Sequence, residues 1–341
     1  MIRSRITMIA SHLPARVVTN ADLEAENPDW KMDAIAARAG VNSRHIAAPE
    51  ETAFDLTKAA CEKLPREALE RVDAIIYCTQ SPDFIMPPNA HLLHAHLALP
   101  DEVAAFDINL ACSGFVYGLG IAHSMIASGV ARNVLLATAD TYSKYIHPRD
   151  RSARVLFGDG AAVSLIEASP DDRGFSSFAL ASHGKEYSKF YIQAGGQRLP
   201  KSEETARETT DRGGNVRSAD FIAMDGLAVW SFINSAVPKQ ISTYLSRNGL
   251  QLSDIDCFIF HQASRLTLDS LVKVLGIDYG KVHLNLAMVG NTVSASIPIC
   301  LADAVRQGRL RAGDHVLVSG FGVGLSYATT SFEYCGEIDV R

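Results

Sequence analysis

The chain has 341 residues, enough for two ordinary domains or for one large fold built from two halves. Hydrophobic residues make up 47% and charged residues 21%, so a large core can be buried and neither a disordered nor a collagen-like chain fits. The net charge of −6, with no basic block, argues against a nucleic-acid binder held by phosphate contacts.

Cys61, Cys78, Cys112, Cys257, Cys300 and Cys335 are scattered, with no CxxC knuckle, and are too sparse for a disulfide scaffold. They fit free thiols in a reducing cytosol. The N-terminal stretch MIRSRITMIASHLPARVV has a short apolar run broken by Ser11, His12 and Pro14, a poor signal peptide. No apolar run approaches the roughly 20 residues that a membrane-spanning helix needs. The expectation is a soluble, cytoplasmic α/β enzyme.

Strands and helices alternate along the chain. Residues 74–79 (AIIYCT) predict a buried strand, followed by the turn-rich SPDFIMPPN. Residues 89–98 predict a helix, 103–108 (VAAFDI) a short strand, and 113–128 a helix with Phe115, Leu119, Ala122 and Ile126 on one face. Residues 134–139 (VLLATA) and 161–166 (AAVSLI) predict further strands. In the second half, 257–260 (CFIF) predicts a strand that stops at His261. A helix carrying Leu268, Leu271, Val272 and Leu275 follows and is closed by Gly276. Another helix follows Asn291, and 316–319 and 326–332 predict the last strands.

The halves overlay. Cys112 to Gly129 and Asn291 to Gly308 are equal intervals, each a loop-to-helix segment leading to an apolar strand, a Gly-rich turn and a final strand. An internal duplication follows, divided as 1–175 and 176–341. The polar segment 193–218, with paired glycines at both ends, reads as a solvated loop insertion that can border an active-site entrance, rather than as a linker.

Cys112 falls between a strand and the start of a helix, where backbone N–H groups and the helix dipole favour thiolate. A free cysteine is as often a buried structural residue. His261 lies at the C-terminal end of a strand, where open α/β sheets present functional groups, and Asn291 sits in a turn just before a helix. Each alone is ordinary. Together they supply what thiol chemistry needs: a nucleophile, oxyanion donors and a group that manages a proton.

The strings AFDINLACSGFVYGL, RSARVLFGDGAAV, FHQAS, VGNTVSASIPICLADAV, GFGVGLSY and RAGVNSRHIAAPEE resemble the β-ketoacyl-acyl-carrier-protein synthase III family of the thiolase superfamily, over nearly the whole chain. The resemblance implies the five-layered αβαβα thiolase fold, two βαβαβαββ halves, usually as a homodimer. It implies Cys112 as the acyl-accepting nucleophile, with His261 and Asn291 as partners. Elongating synthases use two histidines and thiolases a second cysteine where this chain has Asn291. Plant-type polyketide synthases share Cys-His-Asn but are usually longer.

The chemistry implied is acylation of Cys112, with the N–H groups of Cys112 and Val323 holding the oxyanion. Decarboxylation of a malonyl thioester follows, its enolate stabilised by His261 Nε2 and the Asn291 amide, and the enolate then attacks the acyl group. Loss of one such donor costs about 2.7–4 kcal/mol. No metal or cofactor is needed; coenzyme A or carrier-protein phosphopantetheine thioesters are the substrates, and acyl-carrier protein is the partner.

Some positions depart from the family pattern. Arg38 and Arg151 match two arginines of its coenzyme A entrance, but the Trp position falls on Ala34, with Trp30 too far upstream. HQASRL places Arg265 one residue early, and a pantetheine-contacting Asn is replaced by Leu227. Weaker adenine stacking makes a carrier-protein-bound primer more plausible. Arg265 and Lys273 are the candidates for carrier docking. Met86 matches a loop residue that reaches across the family's dimer to close the partner's acyl tunnel, and Phe321 joins Arg38, Arg151 and Met86 among the substrate-binding candidates.

Other motifs are bland. Gly320-x-Gly322-x-Gly324 precedes a strand, not a long helix, so a dinucleotide site is rejected. His91, His94 and His96 lack carboxylate neighbours and read as surface or interface residues. Gly114-x-x-x-Gly118 reads as tight helix packing. Two alternatives remain: an acyltransferase passing the Cys112-bound acyl group to an amine or hydroxyl, which need not release carbon dioxide, and a partner subunit of a heterodimeric synthase, expected to lose part of the triad.

Overall fold

A computed structural model of the protein describes residues 2–171, 173–336 and 338–341. The apolar runs are short and nearly continuous because their strands are covered on both faces. One sheet contains, from edge to edge, Asp339–Val340, Ser4–His12, Gly160–Ala168, Asn133–Asp140, Ala74–Cys78 and Ala104–Ile108. The last three strands are mutually parallel, while Gly160–Ala168 is antiparallel to both its neighbours.

The second sheet runs Cys257–Phe260, His315–Gly322, Ser326–Glu333, Phe178–Ser182. Its pairings are parallel, antiparallel, antiparallel, the same succession as 74–78, 133–140, 160–168 and 4–12 in the first sheet. A parallel bridge from Phe258 to Val282 stands where the first sheet has its edge strand Ala104–Ile108. The segment before Asn291 therefore matches the segment before Cys112.

Alternation along the strands builds the layers. Ala74, Ile76, Val134 and Leu136 face inward with Cys257, Ile259, Val316 and Val318 of the second sheet, enclosing the helices Gly114–Ala127 and Ser296–Arg306. Ile75, Tyr77, Leu135 and Ala137 face outward onto the helices Ala53–Cys61 and Asn89–His96. Phe258, Phe260 and Leu317 face outward onto Gly226–Arg247 and Arg265–Leu275. The order is helices, sheet, helices, sheet, helices.

Phe115, Leu119, Ala122 and Ile126 are all buried, as the helical spacing requires. The close packing expected of Gly114 and Gly118 is present: a β-carbon would lie 2.2 Å from Cys78 Sγ at Gly114 and 2.5 Å from Leu136 Cδ1 at Gly118. The helix Gly226–Arg247 carries Pro238 in its interior. Among the described residues no helix is long and apolar enough to cross a membrane.

The polar segment 193–218 is anchored rather than linking. Its short strands Thr209–Thr210 and Val216–Arg217 pair, Glu208 binds His147 and Arg149, and Arg217 meets Asp150 at 3.2 Å. It covers the segment 147–152.

Candidate active site

Cys112 ends the loop after the strand Ala104–Ile108, and Ser113 caps the buried helix behind it. The loop lies hard against the second sheet. A β-carbon at Gly320 would come within 2.6 Å of the Cys112 carbonyl oxygen, and one at Gly322 within 2.7 Å of Cys112 Sγ. The N–H groups of Val323 and of Cys112 itself both reach the sulfur and favour its negative charge. Val323 is held in turn, because the Ser326 hydroxyl donates to its carbonyl at 2.8 Å and the Ser113 hydroxyl meets Ser326 Oγ at 2.7 Å.

The thiolate expectation needs correction. Burial and the nearby Asp140 carboxylate push the Cys112 thiol up to about 12, and the two N–H donors offset this only partly. The helix dipole acts at the sulfur, but desolvation of a fully enclosed charge is the larger effect. The resting residue is a thiol.

His261 follows the strand Cys257–Phe260, its N–H donating to Ser319 O at 2.9 Å. Its Nδ1 meets Ser296 Oγ at 2.6 Å, and the Phe321 ring stands edge-on to it, centroids 5.8 Å apart at 88°. Burial pushes the imidazole down to about 3, so it is neutral at physiological pH. Of the two neutral tautomers, the one in which the Ser296 hydroxyl donates to Nδ1 leaves the ring proton on Nε2.

Asn291 is pinned to the first half of the chain: its N–H donates to Leu156 O at 2.8 Å and its carbonyl accepts from Gly158 at 3.0 Å. Its side-chain Oδ1 accepts the Val293 N–H at 3.0 Å. Val293 itself takes φ +55°, an uncommon conformation for a β-branched residue. With Oδ1 occupied, the Nδ2 donor is the end left for a ligand.

Two family models match the chain, the 3-oxoacyl-[acyl-carrier-protein] synthase III model over residues 106–184 and its C-terminal model over 245–334. The β-ketoacyl-[acyl-carrier-protein] synthase III of Desulfitobacterium hafniense is 36% identical, with 96% of each chain covered. A solved 3-oxoacyl-(acyl-carrier-protein) synthase III superposes with a TM-score of 0.95 and 41% identity, covering 97% of this chain and all of the other. The chain belongs to the β-ketoacyl-acyl-carrier-protein synthase III family. The priming β-ketosynthase of the R1128 polyketide pathway is also similar, at 28% identity and a TM-score of 0.85, covering 98% of this chain and 97% of its own. As a family member the protein is an acyl-thioester condensing enzyme with the thiolase-like fold.

The remaining candidates of this synthase are dispersed. Arg38 is exposed in the last turn of Met32–Ala39, and that helix ends at Gly40, whose missing β-carbon would lie 2.3 Å from Arg265 Cβ. Arg265 is tied to Asp269 at 2.8 Å and lies over the Tyr279 ring; Lys273 is exposed on the same helix. Half-buried Arg151 donates to the Gly213 carbonyl of the polar segment at 3.0 Å. Ala34 and Leu227 are exposed and present no aromatic plate. His94 bonds the Pro100 carbonyl and His96 packs edge-on to Phe54.

Met86 is 80% exposed at the tip of a loop whose ends are anchored by Asp83 and Asn89. Phe84 and Ile85 are exposed beside it. Sequence reasoning missed Ser296, Ser326 and the left-handed Val293. Their only trace is the string TVSAS after Asn291 and the Ser ending GFGVGLS, which carry meaning once the fold brings them to the site.

Proposed function

We propose that Cys112 takes an acyl group from a thioester and that His261 and Asn291 serve the malonyl half-reaction. The thiol attacks the acyl carbonyl while the N–H groups of Cys112 and Val323 receive the oxyanion; the thiol proton leaves with the departing thiol. A malonyl thioester then loses carbon dioxide. The electron pair of the broken carbon–carbon bond forms an enolate whose oxygen accepts from His261 Nε2 and Asn291 Nδ2. The enolate carbon bonds to the acyl carbon, and Cys112 sulfur is released to regain a proton. The observation that carries this reading is that both donors have their other polar atom already occupied, by Ser296 and by Val293. Phe321 acts by bracing the imidazole.

Arg265 beside the helix that carries Arg38 supports an entrance on that side, and the lack of an aromatic plate at Ala34 favours a carrier-protein-bound primer over coenzyme A. The enzyme is proposed to be a homodimer. The edge strand Ala104–Ile108 has one face of its ladder open, and Asp107 ties it to Asn89 and Ala90 at 2.8 Å, next to the exposed run Phe84–Ile85–Met86. Such a patch beside an open edge fits a second copy.

The test separates the half-reactions. Cys112→Ala should abolish acyl-enzyme formation by intact mass, whereas His261→Ala and Asn291→Ala should acylate yet fail to release carbon dioxide from the malonyl thioester. Normal condensation by the Asn291 variant would remove this mechanism.

A further inference from the structure

We propose that Asp140 is a positioning residue for decarboxylation, holding the turn that aims Asn291; this rests on the role given to Asn291 above. Asp140 ends the strand Asn133–Asp140 and is fully buried. Its Oδ2 accepts the Ser294 hydroxyl at 2.5 Å and the Ser294 N–H at 3.2 Å. Its Oδ1 accepts the Gln80 N–H at 2.8 Å, with the Thr79 and Ser81 hydroxyls each at 3.4 Å. Among the described residues no cation pairs with it. Its hydrogen-bond partners among the described residues are hydroxyls and N–H groups, all from the Thr79–Ser81 loop or from Ser294.

Ser294 directly follows Val293, whose N–H holds Asn291 Oδ1. A valine at φ +55° persists only where its surroundings over-determine it. On one side Asn291 is fixed through Leu156 and Gly158; on the other the fixed point is Ser294 on Asp140. Releasing Ser294 lets Val293 relax, which withdraws the N–H from Asn291 Oδ1 and frees the carboxamide to rotate. Cys112 and Val323 are held by a separate set, Gly320, Gly322, Ser113 and Ser326. Asp140 therefore meets the two half-reactions differently: it holds the turn that aims Asn291, whereas at Cys112 its charge only disfavours the thiolate.

An uncharged asparagine keeps the shape of Asp140 but cannot accept at both ends, and it faces the Ser294 or the Gln80 donors with an NH₂ group. In Asp140→Asn, acylation of Cys112 should not fall below the parent's rate, because loss of the carboxylate also removes its upward push on the thiol, while kcat for malonyl decarboxylation falls at least about tenfold, with KM changing less, because the donor acts on the transition-state oxyanion. Ser294→Ala should show the same split, more weakly, and keeps the test alive if Asp140→Asn does not fold. Equal losses in both half-reactions, or no loss in either, would overturn the proposal. Asn291→Ala is run alongside. If it decarboxylates normally, the role of Asn291 fails; if it is defective while both other variants are not, the role of Asp140 fails alone.

Discussion

Gly322 has no β-carbon, and Cys112 Sγ occupies the space beside it: an added carbon would lie 2.7 Å from the sulfur and 2.8 Å from Cys112 Cβ. The glycine is a condition for the sulfur's position. Gly322→Ala should cost about 1–3 kcal/mol of stability through overpacking. Acylation of Cys112, followed by intact mass, should slow at least about tenfold. An acylation rate equal to the parent's would show that the sulfur is free to move.

The resting thiol can be read directly. With the Cys112 thiol pushed up to about 12, the thiolate fraction at pH 8 is on the order of 10⁻⁴. Alkylation of the Cys112 peptide by iodoacetamide should climb about tenfold per pH unit from pH 7 to pH 10, without a plateau. A plateau below pH 8 would mean that the N–H donors and the helix outweigh burial.

His261 is pushed down to about 3 from 6.5, so the unfolded chain binds a proton there that the folded chain refuses. The stability associated with the neutral ring is complete above about pH 6.5 and is lost as pH falls towards 3. The parent should lose about 1.4 kcal/mol per pH unit relative to His261→Ala between about pH 6 and pH 4. Urea unfolding of both proteins across that window measures the difference, and parallel curves would contradict a buried neutral imidazole.

Met86 is 80% exposed at its loop tip, so its action on an acyl group is expected in a second copy. Methionine adapts to an irregular gap where phenylalanine is a rigid plate. Met86→Phe should selectively slow hexanoyl and octanoyl thioesters and spare acetyl, while Ile85→Glu should shift the sedimentation profile towards monomer. An unchanged chain-length profile would remove Met86 from the tunnel.

Carrier docking has its own signature. Lys273→Glu should lower turnover with a carrier-protein thioester roughly three- to tenfold and flatten its salt dependence, sparing a small thioester. Arg265→Glu should add to this, but it also sets two carboxylates at Arg265 and Asp269, so Lys273 is the cleaner probe. Equal loss with both substrates would indicate a folding defect.

The strands were legible because burial on both faces writes an uninterrupted apolar run, as at 74–78 and 133–140. Cys112, His261 and Asn291 were legible as residues at strand ends and through the family motifs around them. What the sequence did not show is how they are held. Ser296 is an ordinary helix residue until the fold brings it to His261 Nδ1, and Asp140 is the end of an apolar strand until Gln80 and Ser294 arrive from distant segments. The thiolate expectation failed for a related reason, since helix position is local while desolvation depends on everything packed around the sulfur.

The matching order of the two sheets bears on how such a site can change over generations. A symmetric pair of single units would carry the same residue at the position of Cys112 and at that of Asn291, so any substitution would fall on both at once. With both units in one polypeptide, sulfur stands at one position and a carboxamide at the other. Sulfur and carboxamide can then be inherited and altered independently, each answering to the step proposed for it.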